Sequence, residues 1–91
     1  MKEVRELKIG DRFYRDRLDD NPCRWYDEIV KIIRYKKGKR ALIETKADDG
    51  FRQYCLARVY KDGIWHINIE SKHLDSMEGF YESYAIDEDR D

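Results

Sequence analysis

The sequence predicts a mainly-β domain: an antiparallel meander of four to five strands curled into a small barrel, with a short C-terminal helix or turn. Three observations predict it. Gly38, Gly50 and Gly63 recur at intervals of 12 and 13 residues, two of them in Asp-Gly pairs, the strongest short hairpin signal. The runs between them are rich in β-branched and aromatic residues, which suit a pleated, half-buried surface. Two-residue loops at Lys37-Gly38, Asp49-Gly50 and Asp62-Gly63 then place Ile32, Ile43, Leu56 and Ile69 opposite one another, an aliphatic row across four strands. Side chains alternate faces with period two, so a one-residue slip would break that row.

The elements follow in order. Leu7, Ile9, Phe13 and Tyr14 offer apolar cover for a sheet face, and Asp11 to Arg15 can add a fifth strand. Residues 16–24 read as a loop, because Asp19, Asp20, Asn21 and Pro22 are all turn formers. Strands are expected over Trp25 to Tyr35, Arg40 to Lys46, Phe51 to Tyr60 and Ile64 to Glu70. Trp65 and Tyr54 fall on the face of the aliphatic row and are expected in the core. The opposite face carries Ile33, Leu42, Tyr35, Ala57 and Val59, so both faces need cover; it also pairs Lys31 with Glu44. Near the C-terminus, Asp75 and Glu78 have capping-box spacing, and Met77, Phe80, Tyr81 and Tyr84 share one helical face. A last strand over Phe80 to Ile86 is the rival reading. The domain is expected over 1–86, with 87–91 a disordered acidic tail.

Ninety-one residues suit a single small domain with a thin core. A hydrophobic content of 41% argues against intrinsic disorder despite 43% charged residues. The longest apolar run is Tyr54 to Ala57, far short of the ~20 residues a membrane helix needs. No apolar secretory segment follows Met1, so a cytoplasmic location is expected. Two cysteines, Cys23 and Cys55, do not make a disulfide framework, and a reduced state is expected.

The net charge of −1 hides a strong segregation. Residues 31–61 carry 10 basic and 3 acidic side chains, whereas residues 62–91 carry 2 basic and 9 acidic ones. Such blocks either complement each other within the fold or mark an anion-binding middle and an acidic end.

The opening Leu7-Lys8-Ile9-Gly10-Asp11-Arg12-Phe13 resembles the start of SH3-like and Tudor-like small β-barrels, where an apolar turn ends in Gly-Asp and leads into the first strand. The resemblance covers about residues 7–70 and implies a small SH3-like barrel. It carries over no aromatic cage or proline groove, so no family site is transferred. In its shortness, high charge and tyrosine content the chain also resembles phage early proteins. Some of those bind and block host complexes, defence systems among them, in an anti-CRISPR-like manner.

Chemistry-bearing constellations are sparse. No nucleophile elbow, phosphate loop or metal-helix motif is present. Cys55 and His66 fall on adjacent strands but offset, with Cys55 facing Glu70 and His66 facing Val59, too far for a nucleophile and its base. Cys23, Cys55, His66 and His73 lack the close pairing of zinc ligands. The acid pairs Asp19-Asp20, Asp27-Glu28 and Asp48-Asp49 read as solvated charge at turns.

Two surface features stand out. Arg34, Tyr35, Lys36, Lys37, Lys39 and Arg40 crowd one hairpin tip, which suits phosphate contact or an acidic protein surface, or simply keeps a turn solvated. Arg24, Trp25 and Tyr26 combine the residue types enriched at interface hot spots. The expected function is non-enzymatic: a protein-interaction module, of the kind that binds and blocks a host or cellular protein complex through these nine residues. The alternative is a nucleic-acid binder using hairpin 34–40. No cofactor, metal or membrane partner is expected.

Overall fold

The computed structural model describes residues 5–15 and 25–89. Five strands and one helix follow in chain order: β1 (Arg12–Arg15), β2 (Trp25–Lys36), β3 (Arg40–Ala47), β4 (Arg52–Val59), β5 (Trp65–Ser71) and α1 (Leu74–Asp89). The strands form one antiparallel sheet in the order β1-β2-β3-β4-β5, the meander expected from the glycine spacing. Phe13 of β1 and Trp65 of β5 stand at opposite edges yet share one core cluster. A five-stranded sheet allows that only if it curls toward that face, and the result is a half-barrel.

Local chemistry sets the entry and the turns. At the entry the Lys8 amide donates to Asp11 Oδ2 at 2.8 Å and the Asp11 amide to the Lys8 carbonyl at 3.1 Å. Gly10, at φ 97°, completes that turn and donates its amide to the Ile29 carbonyl at 2.8 Å, tying the entry to β2. The β3–β4 loop closes with the Gly50 amide on the Ala47 carbonyl at 2.9 Å, then Gly50 itself at φ 94°. The Asp49 carboxylate accepts the Phe51 amide at 3.0 Å. The β4–β5 loop repeats the arrangement with Gly63, Tyr60, Asp62 and Ile64.

These are three-residue loops, a tight turn followed by a left-handed glycine, rather than two-residue ones. The extra residue corrects the expected register. Leu42, not Ile43, lies opposite Leu56, and Ile43 lies opposite Cys55. The Leu56–Ile69, Cys55–Glu70, Ile32–Ile43 and Lys31–Glu44 pairs stand as expected, because bulges at Val30, Ile33 and Asn68 absorb the offsets elsewhere. His66 consequently faces Arg58 rather than Val59, and Trp65 faces Val59.

The slip divides the expected aliphatic row between the two faces. The inner face gathers Ile29, Ile43, Cys55, Ala57 and Trp65, with Leu7 from the entry segment and partly buried Phe13, Ile32 and Tyr35. The outer face gathers Leu42, Leu56 and partly buried Ile33, Tyr54 and Ile69, covered by Met77, Tyr81, Leu74 and Tyr84 of α1. Trp65 and Tyr54 therefore serve opposite faces, a correction to the shared face expected of them. The need for cover on both faces is met by residues near the two ends of the described chain. Ile9 and Tyr14, also expected as cover, are exposed.

The C-terminal segment is the helix of the two alternatives. Asp75 lies inside its first turn rather than at the cap, where a carboxylate suits the helix dipole. The helix continues to Asp89, through part of the segment expected as a tail; 90 and 91 lie outside the described residues.

The left-handed loop glycines give a direct test of this loop conformation. A Cβ at Gly50 would meet nothing within 4 Å, so the cost of Gly50→Ala is conformational alone. The variant is expected to lose about 1–2 kcal/mol in urea denaturation. An unchanged midpoint would mean that Gly50 does not hold the left-handed conformation.

Candidate protein-interaction surface

The basic hairpin is assembled as expected, but its charges are partly spent within the fold. Arg40 is 5% exposed, with its guanidinium carbon 4.3 Å above the Tyr81 ring. Arg58 lies in the same way 4.0 Å above Tyr84. Arg34 approaches Glu78 at 3.8 Å, and Lys37 meets Glu6 at 3.2 Å. Tyr35 turns inward and stacks on Trp65, with ring centroids 6.0 Å apart and planes at 29°. Lys36 and Lys39 remain exposed. The charge segregation is thus answered in part by contacts between the basic middle and acids at both ends of the chain. Exposed pairs of this kind contribute ~0–1 kcal/mol each, so they dispose of charge more than they hold the fold.

The second feature lies at the other end of β2. Arg24 is outside the described residues, and Trp25 opens β2 opposite Arg15. Tyr26 pairs with Tyr14 on the outer face, the rings edge-to-face at 6.0 Å and 61°. The Arg12 guanidinium lies 4.1 Å above the Tyr26 ring, and its Nε donates to Glu28 Oε1 at 3.0 Å. That bond is the main cause raising the Arg12 pKa above its ordinary value. Tyr14 is 53% exposed. Among the described residues the outer face has no helical cover here, because α1 packs on β3, β4 and β5. The patch of Tyr14, Tyr26, Arg12 and Glu28 is therefore an aromatic–cation surface open to solvent.

Composition pointed to Arg24, Trp25 and Tyr26 but missed Tyr14 and Arg12, which join Tyr26 only through the β1–β2 register. The available signal was the Arg-Phe-Tyr-Arg alternation, which puts Arg12 and Tyr14 on one face of a strand.

Beside this patch the half-barrel is open. A cleft of about 500 Å³ runs between β1 and β5, lined by Arg12, Phe13 and Tyr14 on one side and by Glu70 and the residues from Ile64 to Asn68 on the other. A second cleft of about 220 Å³ shares Arg12, Phe13, Ile64 and Trp65 and extends it toward Leu7. At the rim, the Ile64 amide and then His66 hold the Asp62 carboxyl below its ordinary range, with His66 Nε2 at 3.0 Å.

Elsewhere, Cys55 is fully buried with its sulfur 3.4 Å from Thr45 Oγ1, and Cys23 lies outside the described residues. Among the described residues no three metal-ligating side chains stand together, and no helix is long and apolar enough to cross a membrane. Comparison with protein-family models, with curated proteins and with solved structures returns no match to this chain.

Proposed function

We propose that this domain is a non-enzymatic protein-interaction module that docks a partner on the outer face of β1 and β2. The observation that carries the reading is the solvent-open Tyr14–Tyr26 pair, braced by Arg12, on the part of the outer face that α1 leaves uncovered. Tyrosine provides large contact area with little loss of side-chain freedom, and tyrosine and arginine are enriched among the residues that anchor interfaces. Trp25 begins β2 immediately before Tyr26.

The nucleic-acid alternative has less support. Of its six hairpin residues, Tyr35 is stacked inside and Arg40 is buried under Tyr81, so neither is placed to meet a base or a phosphate.

Two measurements test the reading together. Affinity capture from cell lysate is expected to retain a partner that Tyr14→Ala/Tyr26→Ala loses, with affinity falling more than about tenfold, as for hot-spot truncation. Changing Lys36, Lys37 and Lys39 to serine is expected to cost that partner less than about threefold, since rim charges contribute little. Arg40 is left intact because its burial would confuse binding with folding. Short single- and double-stranded DNA and RNA are expected not to bind at low salt. Micromolar binding that weakens steeply with salt and vanishes in the triple-serine variant would overturn the reading.

A further inference from the structure

We infer that the seam between β1 and β5 is a strand-addition site: it takes an extended segment of a partner protein, apolar at inward positions and acidic at outward ones. The inference rests on the protein-interaction reading above and names the form the partner takes.

The argument begins with the backbone. Among the described residues, β5 (Trp65–Ser71) pairs along one edge only, with β4. A strand with one paired edge presents its remaining N–H and C=O groups on the other, a template for another chain. Sheet edges are commonly blunted by lysine, proline, shortness or a bulge. The facing edge, β1, is four residues long with arginine at each end. β5 is seven residues long and contains neither lysine nor proline, with the bulge at Asn68 as its one such device.

The cleft supplies room and walls. Its volume of about 500 Å³ lies within the ~300–1,000 Å³ typical of binding clefts. Its inner wall is apolar along Phe13, Trp65 and Ile67 of the inner core cluster, and Glu70 adds a carboxylate beyond them. An added strand would direct every second side chain onto that wall and the rest outward. Outward, the lining carries Arg12 and His66, and Arg58 stands opposite His66 on the same face. The Arg12 and Arg58 guanidiniums favour acids at the outward positions beside them. The Trp65 indole donates to the Arg5 carbonyl at 2.7 Å and ties the entry segment to β5 beside the narrower cleft.

The test uses the isotope-labelled full chain and the probe acetyl-Val-Glu-Val-Glu-Val-Glu-Val-amide, followed by amide chemical shifts. Saturable binding is expected at a Kd below about 1 mM, with shifts centred on residues 65–69 and 12–14. N-methylating the probe at alternate residues in one frame should weaken binding more than about tenfold, because several backbone bonds are lost together. Methylation in the other frame should spare it, a signature that side-chain docking would not give. Replacing the three glutamates with lysine should weaken binding as well. No saturable shift at β5 up to about 1 mM, or equal effects of the two methylation frames, would overturn strand addition. Tighter binding of the lysine probe would overturn the assigned partner chemistry. If the probe fails while Tyr14→Ala/Tyr26→Ala still abolishes partner capture, strand addition fails and the interaction-module reading stands.

Discussion

Replacing Trp65 with alanine is expected to cost about 3–5 kcal/mol, as large-to-small aromatic core changes do. Trp65 begins β5 at the open edge of the half-barrel, yet it is 8% exposed. It does there what a closing strand pair would do elsewhere. Its ring stacks on Tyr35, and it shares the inner cluster with Leu7 and Phe13. Its indole N–H satisfies the Arg5 carbonyl at 2.7 Å, which holds the entry segment in place. The alanine variant loses ring area, stacking and that bond together. Trp65→Phe keeps most of the apolar contact and leaves the Arg5 carbonyl without its donor, so a loss of about 1–2 kcal/mol is expected. Small domains have only ~5–15 kcal/mol to lose. Urea denaturation of the three proteins should give the order wild type, Trp65→Phe, Trp65→Ala. A loss under ~1 kcal/mol for Trp65→Ala would show that the inner face does not depend on this plug.

The strand order and turn positions were legible because glycine spacing and β-branched runs are local signals. The register was less so. Asp-Gly marks a hairpin but does not by itself distinguish a two-residue loop from a three-residue loop ending in a left-handed glycine. The difference is one residue, and one residue moves every side chain to the other face. That is why Ile43 and Leu56, read as neighbours, stand on opposite sides of the sheet. A finer clue was present: in Asp48-Asp49-Gly50 and Lys61-Asp62-Gly63 the aspartate before glycine can accept the amide two residues on, as Asp49 and Asp62 do. The bulges at Val30, Ile33 and Asn68 had no comparable signal, since they settle a geometric conflict between turns and faces.

The surface was legible in composition and less so in disposition. Clustering of Arg34 to Arg40 followed from one tight turn. The groups answering them came from distant sequence: Glu6 for Lys37, Glu78 for Arg34, the Tyr81 ring for Arg40. An arginine near the inner end of a hairpin reads as exposed until the helix that covers it is placed. The seam between β1 and β5 was legible least, because it depends on a curl that stops short of closure.

Two substitutions in α1 are expected to move stability in opposite directions, and together they test whether the helix is part of the core. Met77 is fully buried against the cluster of Leu42, Leu56 and Tyr81. Met77→Ala is expected to cost about 2–5 kcal/mol, toward the lower end if Tyr81 and Tyr84 settle into the space. Two positions along, a Cβ on Gly79 would meet nothing within 4 Å. Gly79→Ala is expected to stabilise by about 0.5–1 kcal/mol, because alanine loses less backbone freedom in a helix. Both changes are read by urea denaturation with strand amides as reporters. If Met77→Ala left the strands unaffected and melted only helix signals, α1 would be an appendage and Leu42 and Leu56 would hold the sheet without it.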